Sequence, residues 1–240
     1  MTQRKLLRRL ARKPQRGGVG RRVTVPAPVP PLASDPGSAG AVMTEDARLA
    51  ELAQIESAVW AELERAVHSR FTGSVAPHEW RRAVLATQDA DGPQARSVVL
   101  RDLLLDSREL VFYADARSPK VAQLRRDPRA VLLCWSSTLG WQLRLRCHIE
   151  VETSGLDVTA RWAHIRNRPA AHDYLSPLAP GTPMPDGHGG LVVTPLPPER
   201  LRETFAVLSA RVEAIDWLEL HARGQRRAVF DAQGARWLTP

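Results

Sequence analysis

Residues 96–147 constrain the fold of this chain most, because they contain four strand-like segments arranged around one helix-like segment. Two runs rich in β-branched and aromatic side chains, 96–101 and 109–113, flank a polar break and are typical of strands. The periodic segment 121–126 is helix-like and is stopped by an Asp-Pro pair. Two further strand-like runs, 129–135 and 141–147, follow. The stretch therefore predicts a mainly β protein with flanking helices.

Cationic side chains mark two places in this stretch. Arg96 and Arg101 lie five residues apart on one predicted strand, so we expect them on opposite faces. Arg117, Ser118 and Lys120 lie at a strand-to-helix turn, where unpaired backbone N–H groups and the helix dipole favour an anion. Any one of these arginines alone is also explained by exposure to water. Together they predict a phosphate-sized pocket at the edge of the sheet.

The segments before this stretch have clear periodicity. Capping by Thr44 and apolar residues at helical spacing predict a helix over 44–65. Residues 80–88 read as a strand, and Asp91-Gly92 is a hairpin signal.

The segments after it complete the expected fold. Residues 141–153 alternate, with Leu143, Leu145, Cys147, Ile149 and Val151 on one face and Gln142, Arg144, Arg146 and His148 on the other. Helices are expected over 156–168 and 197–204, a strand over 205–220 and a closing hairpin over 222–240. The Pro/Gly-rich loop 175–190 is typical of a lid, a binding loop or a disordered insertion.

The net charge of +8 belongs to the first 42 residues. They hold nine of the 34 basic and one of the 26 acidic side chains, which leaves 25 of each in residues 43–240. A neutral remainder argues against nucleic acid as the partner of the folded part. We expect residues 1–42 to be a disordered, basic and Pro-rich tail and 43–240 to be a single domain. Membrane-surface, nucleic-acid or targeting roles for the tail remain alternatives, as does Met43 as the start.

Other features exclude several classes of protein. Cys134 and Cys147 fall inside predicted strands and are expected as buried thiols, with a disulfide between neighbouring strands as the alternative. No Cys or His spacing suggests metal ligands, and no apolar run reaches membrane-spanning length. A reducing cytoplasm is the expected location.

The ordered motifs resemble those of the pyridoxamine 5′-phosphate oxidase family. They are Arg-Ser-Val-Val-Leu-Arg at 96–101, Phe-Tyr at 112–113, Arg-Ser-Pro-Lys at 117–120 and Gln142 within Trp-Gln-Leu-Arg. The resemblance covers residues 52–240 and is nearest to oxidase-like flavoproteins of undefined substrate. It implies an FMN-binding split β-barrel of antiparallel Greek-key type, and a homodimer with FMN at the subunit interface. A flavodoxin-like or Rossmann fold is disfavoured, because the chain lacks a Gly-rich strand-to-helix loop.

The resemblance also implies roles for individual residues. Arg101, Arg168 and Arg223 would hold the substrate. The FMN-binding set would be Arg96, Ser97, Val98, Val99, Leu100, Arg101, Tyr113, Ala114, Ser118, Lys120, Gln142, Trp217 and Arg227.

The chain departs from the vitamin oxidases at three positions of the implied substrate site. His164 and His172 replace a tyrosine and a serine, and Gln225 replaces the active-site histidine. The expected function is therefore an FMN-dependent oxidoreductase that moves a hydride from a small substrate to FMN, with reoxidation by dioxygen. A genuine pyridoxine/pyridoxamine 5′-phosphate oxidase, a non-catalytic flavin- or haem-binding protein and a nicotinamide-dependent flavin reductase are the alternatives.

Overall fold

The computed structural model describes residues 48–70, 76–168, 171, 176–183 and 198–240. Within these residues, eight antiparallel strands form one sheet that is flanked by helices. The strands are β1 Arg82–Asp89, β2 Gly92–Leu104, β3 Glu109–Asp115, β4 Arg129–Ser136, β5 Trp141–Glu152, β6 Phe205–Glu219, β7 Arg226–Asp231 and β8 Gly234–Leu238. The helices are α1 Leu52–His68, α2 Pro119–Arg126, α3 Leu156–Ile165 and α4 Pro198–Glu203, with a 3-10 turn at Glu79–Arg81.

The strand order shows how the sheet closes into a barrel. Strands β1, β2 and β3 form a meander, and β4 returns to pair with β1, which is a Greek key. Strand β6 pairs with β5 on one side and, through its first half, with β3 on the other. The six strands from β1 to β6 therefore form a closed barrel. The predicted mainly β split-barrel fold with Greek-key connections is confirmed.

The interior of the barrel follows the alternation seen in the sequence. On β5, Leu143, Leu145, Cys147 and Ile149 are buried. Helix α1 packs onto the same core through its apolar stripe of Ile55, Val59 and Leu63. A second, smaller cluster lies between α3 and the outward side chains of β3 and β6, where Trp162 packs 5.3 Å from Phe205. The apolar side chains of the strands thus form two clusters, one inside the barrel and one between the barrel and α3.

Several predicted boundaries shift in the structure. Helix α1 begins at Leu52 and ends at His68, whereas the sequence predicted 44–65. Residues 48–50 have no helical structure, and the predicted cap Thr44 lies outside the described residues. The closing hairpin is confirmed as β7 and β8, joined at Ala232 and Gln233.

The disulfide alternative is wrong, because both cysteines are free and buried. Cys134 is paired with Leu143 and Cys147 with Ala130, so the two thiols lie four register positions apart along the strands. Burial raises the pKa of Cys134 to about 12, and it also raises that of Cys147. Both thiols are therefore protonated and unreactive at neutral pH.

None of the helices in the described part of the chain is both long and apolar enough to cross a membrane.

Candidate active site

The turn between β3 and α2 brings a hydroxyl and two cations together. We refer to residues 116–120 as the anion turn. Ser118 is buried at the N-cap of α2, and its Oγ accepts a hydrogen bond from Lys120 Nζ at 3.2 Å. Burial and the neighbouring positive charge of Arg96 lower the pKa of Lys120. The structure therefore places Lys120 beside the Ser118 hydroxyl and within electrostatic range of Arg96.

The backbone N–H groups of this turn differ from the expectation. The sequence predicted that free N–H groups would contribute to anion binding. Instead, the Arg117 N–H donates to the Asp115 carboxylate at 2.8 Å, and the Ser118 N–H donates to the Asp115 carbonyl at 3.0 Å. Asp115 therefore occupies the N–H groups of Arg117 and Ser118, and the side chains of Ser118 and Lys120 are the donors that the structure brings together here.

Arg96 extends from the inward-facing side of β2, which it shares with Val98 and Leu100. Its guanidinium donates to Thr87 Oγ1 at 2.5 Å, to the Leu85 carbonyl at 3.3 Å and to Gln123 Oε1 at 2.9 Å. Burial lowers the pKa of Arg96, because a desolvated cation is disfavoured. These neutral acceptors fix the position of the guanidinium, and the Asp89 carboxylate acts on its charge without forming an ion pair with it.

The sequence reasoning did not identify Thr87 and Gln123 as parts of this group. Gln123 lies one helical turn after Lys120 on α2. This spacing indicates that the two side chains share one face of the helix, and it is the feature of the sequence that could have identified Gln123. Its amide donates to Asp89 at 2.6 Å, which turns the carbonyl oxygen towards Arg96.

The charges at the anion turn fit a phosphate group. Within the described residues, neither Arg96 nor Lys120 forms an ion pair with a carboxylate. Two partly buried cations beside a buried hydroxyl carry an unfavourable electrostatic free energy, which a bound dianion would offset. The donor set therefore suits the phosphate of a nucleotide-like cofactor.

Arg101 lies at a bulge, where the β2–β3 register shifts between Leu100 and Asp102. Its guanidinium carbon is 5.8 Å from the centre of the Tyr113 ring, and its Nε is buried without a hydrogen-bond partner among the described residues. Tyr113, over which Arg101 lies, belongs to the outward side chains of β3, whereas Arg96 lies on the inward side of β2. These positions agree with the prediction that Arg96 and Arg101 lie on opposite faces of the sheet. An unpaired buried donor is a reason to expect a ligand at this position.

Gln142 and Arg227 lie in one row on the outer face of the sheet. Gln142 on β5 and Arg227 on β7 are both paired in register with Leu218 on β6. Arg227 donates twice to Asp216, at 2.9 and 2.7 Å, which raises its pKa. A shallow groove of about 250 Å³ along this face includes Arg144 and Asp216.

Trp217 does not join this row. Because it neighbours Leu218 on a strand, it points to the opposite face, where it is fully buried. Its ring lies 5.4 Å from that of Trp141 and 6.4 Å from that of Trp237, with the Arg226 guanidinium 5.6 Å away. Trp217 therefore packs in the core, on the side of β6 opposite to the row of Gln142 and Arg227.

The remaining predicted residues lie on separate elements. Arg168 is exposed after the end of α3, and Arg223 is exposed in the connection between β6 and β7. His164 and Gln225 are exposed, whereas His172 lies outside the described residues. Ala114 is buried on β3, and Ser97, Val98, Val99 and Leu100 alternate between the two faces of β2.

The closed barrel and the cations of the anion turn suit a class of protein that binds a phosphorylated ligand. Comparison with known families specifies the class, since the family described as "Pyridoxamine 5'-phosphate oxidase, FMN-binding domain" matches residues 57–153.

Curated relatives and solved structures agree with this match. A pyridoxine/pyridoxamine 5′-phosphate oxidase of Azorhizobium caulinodans is 30% identical over 64% of this chain and 74% of its own length. One of Caulobacter vibrioides is 29% identical over 70% and 77%. A pyridoxamine 5′-phosphate oxidase-related, FMN-binding protein of Nostoc punctiforme superposes with a TM-score of 0.59 and 25% identity, covering 77% of this chain and 96% of that one.

A more distant structure shares the fold alone. PhzG of Burkholderia lata 383 has 17% identity and a TM-score of 0.55, covering 85% of this chain and all of that one. The chain belongs to the pyridoxamine 5′-phosphate oxidase family, and its cofactor is FMN.

Proposed function

We propose that this protein is an FMN-dependent oxidoreductase that takes a hydride from a small substrate. The observation that carries the proposal is the pair of cations Arg96 and Lys120 beside the buried hydroxyl of Ser118, with no carboxylate paired to either cation in the described residues. Bound FMN would supply the redox chemistry, with a substrate carbon as the hydride donor and dioxygen as the final oxidant, which would be reduced to hydrogen peroxide. The residues of this chain would hold the cofactor and orient the substrate.

In this proposal the anion turn fixes the phosphate end of the cofactor. Lys120 and Arg96 supply charge, and the Ser118 hydroxyl supplies a donor in a place that excludes water. Thr87 and Gln123 hold the Arg96 guanidinium in one orientation, which reduces the entropy lost on binding.

The ring end of the cofactor is assigned to side chains outside the anion turn. Gln142 and Arg227 present polar groups in one row, and the backbone of Ser97–Leu100 with Tyr113 and Ala114 forms the adjoining wall. Trp217 supports this wall through packing, because it faces the interior.

Substrate binding is assigned to three exposed or partly exposed arginines: Arg101, Arg168 and Arg223. Cations of this kind suit a substrate with an anionic group. Pyridoxamine or pyridoxine 5′-phosphate is one candidate. The exposed His164 and Gln225, which depart from the vitamin oxidases, favour a different anionic substrate.

We further propose a homodimer. Leu133 and Trp135 project outward from β4 and are 36% and 45% exposed. Trp135 is paired in register with Gln142, so the exposed apolar side chains border the row assigned to the cofactor. A second subunit would cover them and complete the cofactor site. The two buried free thiols support a reducing compartment such as the cytoplasm.

The first test is an absorption spectrum of the purified full chain, as isolated and after FMN addition and gel filtration. The expected result is the spectrum of a bound oxidised flavin that co-elutes with a dimer. A protein that retains no FMN would contradict the proposal.

The second test measures hydrogen peroxide formation by the FMN-loaded protein with a panel of small anionic substrates, including pyridoxamine 5′-phosphate. Turnover of any member supports an oxidase. FMN retention without turnover or flavin reduction would favour a non-catalytic flavin-binding protein.

A further inference from the structure

Two short units with the same geometry flank α2. Each is an Asp-X-Arg sequence, Asp115-Ala-Arg117 before the helix and Asp127-Pro-Arg129 after it. In both units the arginine donates its backbone N–H and its Nε to one carboxylate oxygen and its Nη2 to the other. The distances are 2.8, 3.0 and 2.6 Å for Arg117 and 3.1, 2.9 and 2.7 Å for Arg129.

The two units differ in burial and in what else they contact. Asp127 and Arg129 lie at the surface, and the Arg129 side chain is 82% exposed. Asp115 is only 4% exposed, and Arg117 also donates to the carbonyls of Ser176 at 2.8 Å and Pro177 at 3.1 Å. These contacts join parts of the chain about 60 residues apart. Arg117 therefore connects two segments, whereas the side-chain contacts of Arg129 with Asp127 close a local turn.

The segment that Arg117 holds lies against the anion turn. We refer to residues 176–182 as the strap. The strap is ordered internally by a hydrogen bond from the Leu178 N–H to Ser176 Oγ at 3.2 Å and by a turn between Ala179 and Thr182. A Cβ atom on Gly181 would lie 3.9 Å from Cγ of Pro119, the residue between Ser118 and Lys120. The strap therefore borders the proposed phosphate site.

The charge of Arg117 is not itself available to an anion. The buried Asp115 carboxylate neutralises it and raises its pKa. An effect of Arg117 on an anion bound at Ser118 and Lys120 must therefore pass through the position of the strap. A segment that covers such a site excludes water and strengthens the charge interactions beneath it.

We propose that Arg117 is a positioning residue that fastens the strap across the anion turn and so slows release of the cofactor phosphate. This inference rests on the proposed FMN site. The described start of the Pro/Gly-rich loop would then act as a retaining strap. Arg117 holds this strap, and the ion pair with Asp115 holds Arg117 in place.

The test compares Arg117→Gln, Arg117→Lys and the matched control Arg129→Gln in the 240-residue chain. FMN release after dilution is followed by flavin fluorescence, and hydrogen–deuterium exchange of the strap is measured with and without FMN. Riboflavin, which lacks the phosphate, is the companion ligand. Arg117→Lys retains a charge for the buried Asp115 and so preserves folding if Arg117→Gln does not.

We expect FMN release about tenfold faster in Arg117→Gln and faster to a smaller degree in Arg117→Lys, because loosening the segment that covers a bound ligand acts mostly on the dissociation rate. Arg129→Gln should release FMN at the wild-type rate, and riboflavin affinity should be the same in all four proteins. FMN should protect the strap from exchange in the wild type and in Arg129→Gln, but not in Arg117→Gln.

Three results would overturn the inference, and the third would also overturn the proposed function. If the wild type binds FMN but FMN leaves strap exchange unchanged, or if both Arg117 variants release FMN at the wild-type rate, the strap does not retain the phosphate and the proposed function stands. If the wild type binds no FMN, the proposed cofactor site and the strap inference both fail.

Discussion

At the residue scale, the anion turn holds its cations in an unfavourable electrostatic state. Lys120 has a hydroxyl as its only described hydrogen-bond partner, and Arg96 has only neutral acceptors. Burial lowers the pKa of both. The two groups keep these positions because the rest of the barrel holds them in place. A ligand phosphate would offset their unfavourable electrostatic free energy.

Replacing Lys120 with methionine should weaken FMN binding selectively. A hydrogen bond to a charged group contributes about 1.5–3 kcal/mol, so we expect FMN affinity to fall about 10- to 100-fold. Riboflavin affinity should stay within about twofold, because riboflavin has no phosphate. Titration of flavin fluorescence measures both constants.

Arg125→Met on the same helix is the control for Lys120→Met, since Arg125 is exposed. Equal losses for FMN and riboflavin in Lys120→Met would contradict the assignment of Lys120 to the phosphate.

Glu79 should make the stability depend on pH. Its carboxylate accepts hydrogen bonds from Ser136, Ser137 and Thr138, which lower its pKa from 4.5 to about 2. Because the folded-state pKa is the lower one, this stabilisation is complete above about pH 4.5 and is lost as the pH falls towards 2. Glu79 is exposed, so solvent screening reduces the contribution to about 1 kcal/mol.

Urea unfolding of the wild type and Glu79→Gln at pH 7 and pH 3 measures this contribution. The wild type should be the more stable protein at pH 7, and the difference should shrink at pH 3. A difference that does not change with pH would show that the charge of Glu79 is not involved.

The sequence could predict the charged members of the site but not their partners. Ser118 and Lys120 were identified because a strand-to-helix turn has a recognisable local pattern. Thr87 and Gln123 were not, because their contact with Arg96 depends on which strand lies beside β2 and how α2 sits on the barrel. Asp115 was missed because its role requires it to be buried.

At the element scale, β6 shows where periodicity stops being informative. The alternation of residues 205–220 predicted one strand, and the strand is Phe205–Glu219. Its first half pairs with β3 and its second half with β7, while β5 runs along its whole length. Nothing in a local pattern specifies two different partners, since pairing is a long-range property.

Gly140 should be essential to the turn between β4 and β5. It has a φ of +65°, and a Cβ atom there would lie 2.6 Å from the Leu220 carbonyl oxygen. The Leu220 N–H donates to the Gly140 carbonyl at 2.7 Å, so β5 and β6 cannot separate without losing this bond. We expect Gly140→Ala to lower the free energy of unfolding by about 2–4 kcal/mol, from backbone strain and the clash together.

The control for Gly140→Ala is Gly234→Ala in the β7–β8 turn. Gly234 also has a positive φ, of +101°, but faces open space. It should therefore lose only about 1–2 kcal/mol, from the backbone alone. Equal losses in chemical denaturation would show that the contact with Leu220 contributes nothing.

At the scale of the whole molecule, the sequence predicted the class of fold through ordered motifs rather than through pairing. Four motifs along residues 96–144 resembled one family, and the closed barrel agrees with that resemblance. Local patterns alone predicted strands but could not show that β3 and β6 close the sheet. Trp217 illustrates the same limit, because matching motif spacing did not reveal which face of β6 it occupies.

The outer face of β4 should determine the assembly of the protein. Leu133 and Trp135 are exposed apolar side chains on one face, and Trp135 neighbours Gln142 in the proposed cofactor row. Placing a charge at the centre of a dimer interface costs at least about 2 kcal/mol, or about 30-fold in the dissociation constant. We therefore expect Trp135→Arg to shift the protein from dimer to monomer in light scattering coupled to gel filtration.

The same variant should retain less FMN, because the cofactor would lie in a cleft shared by two subunits. Leu156→Arg is the control, since Leu156 is 92% exposed at the start of α3, away from β4 in the fold. It should remain dimeric and retain FMN. A wild-type monomer that holds FMN would show that one subunit is sufficient for the site. A dimeric Trp135→Arg protein with unchanged FMN content would place the interface on another face of the barrel.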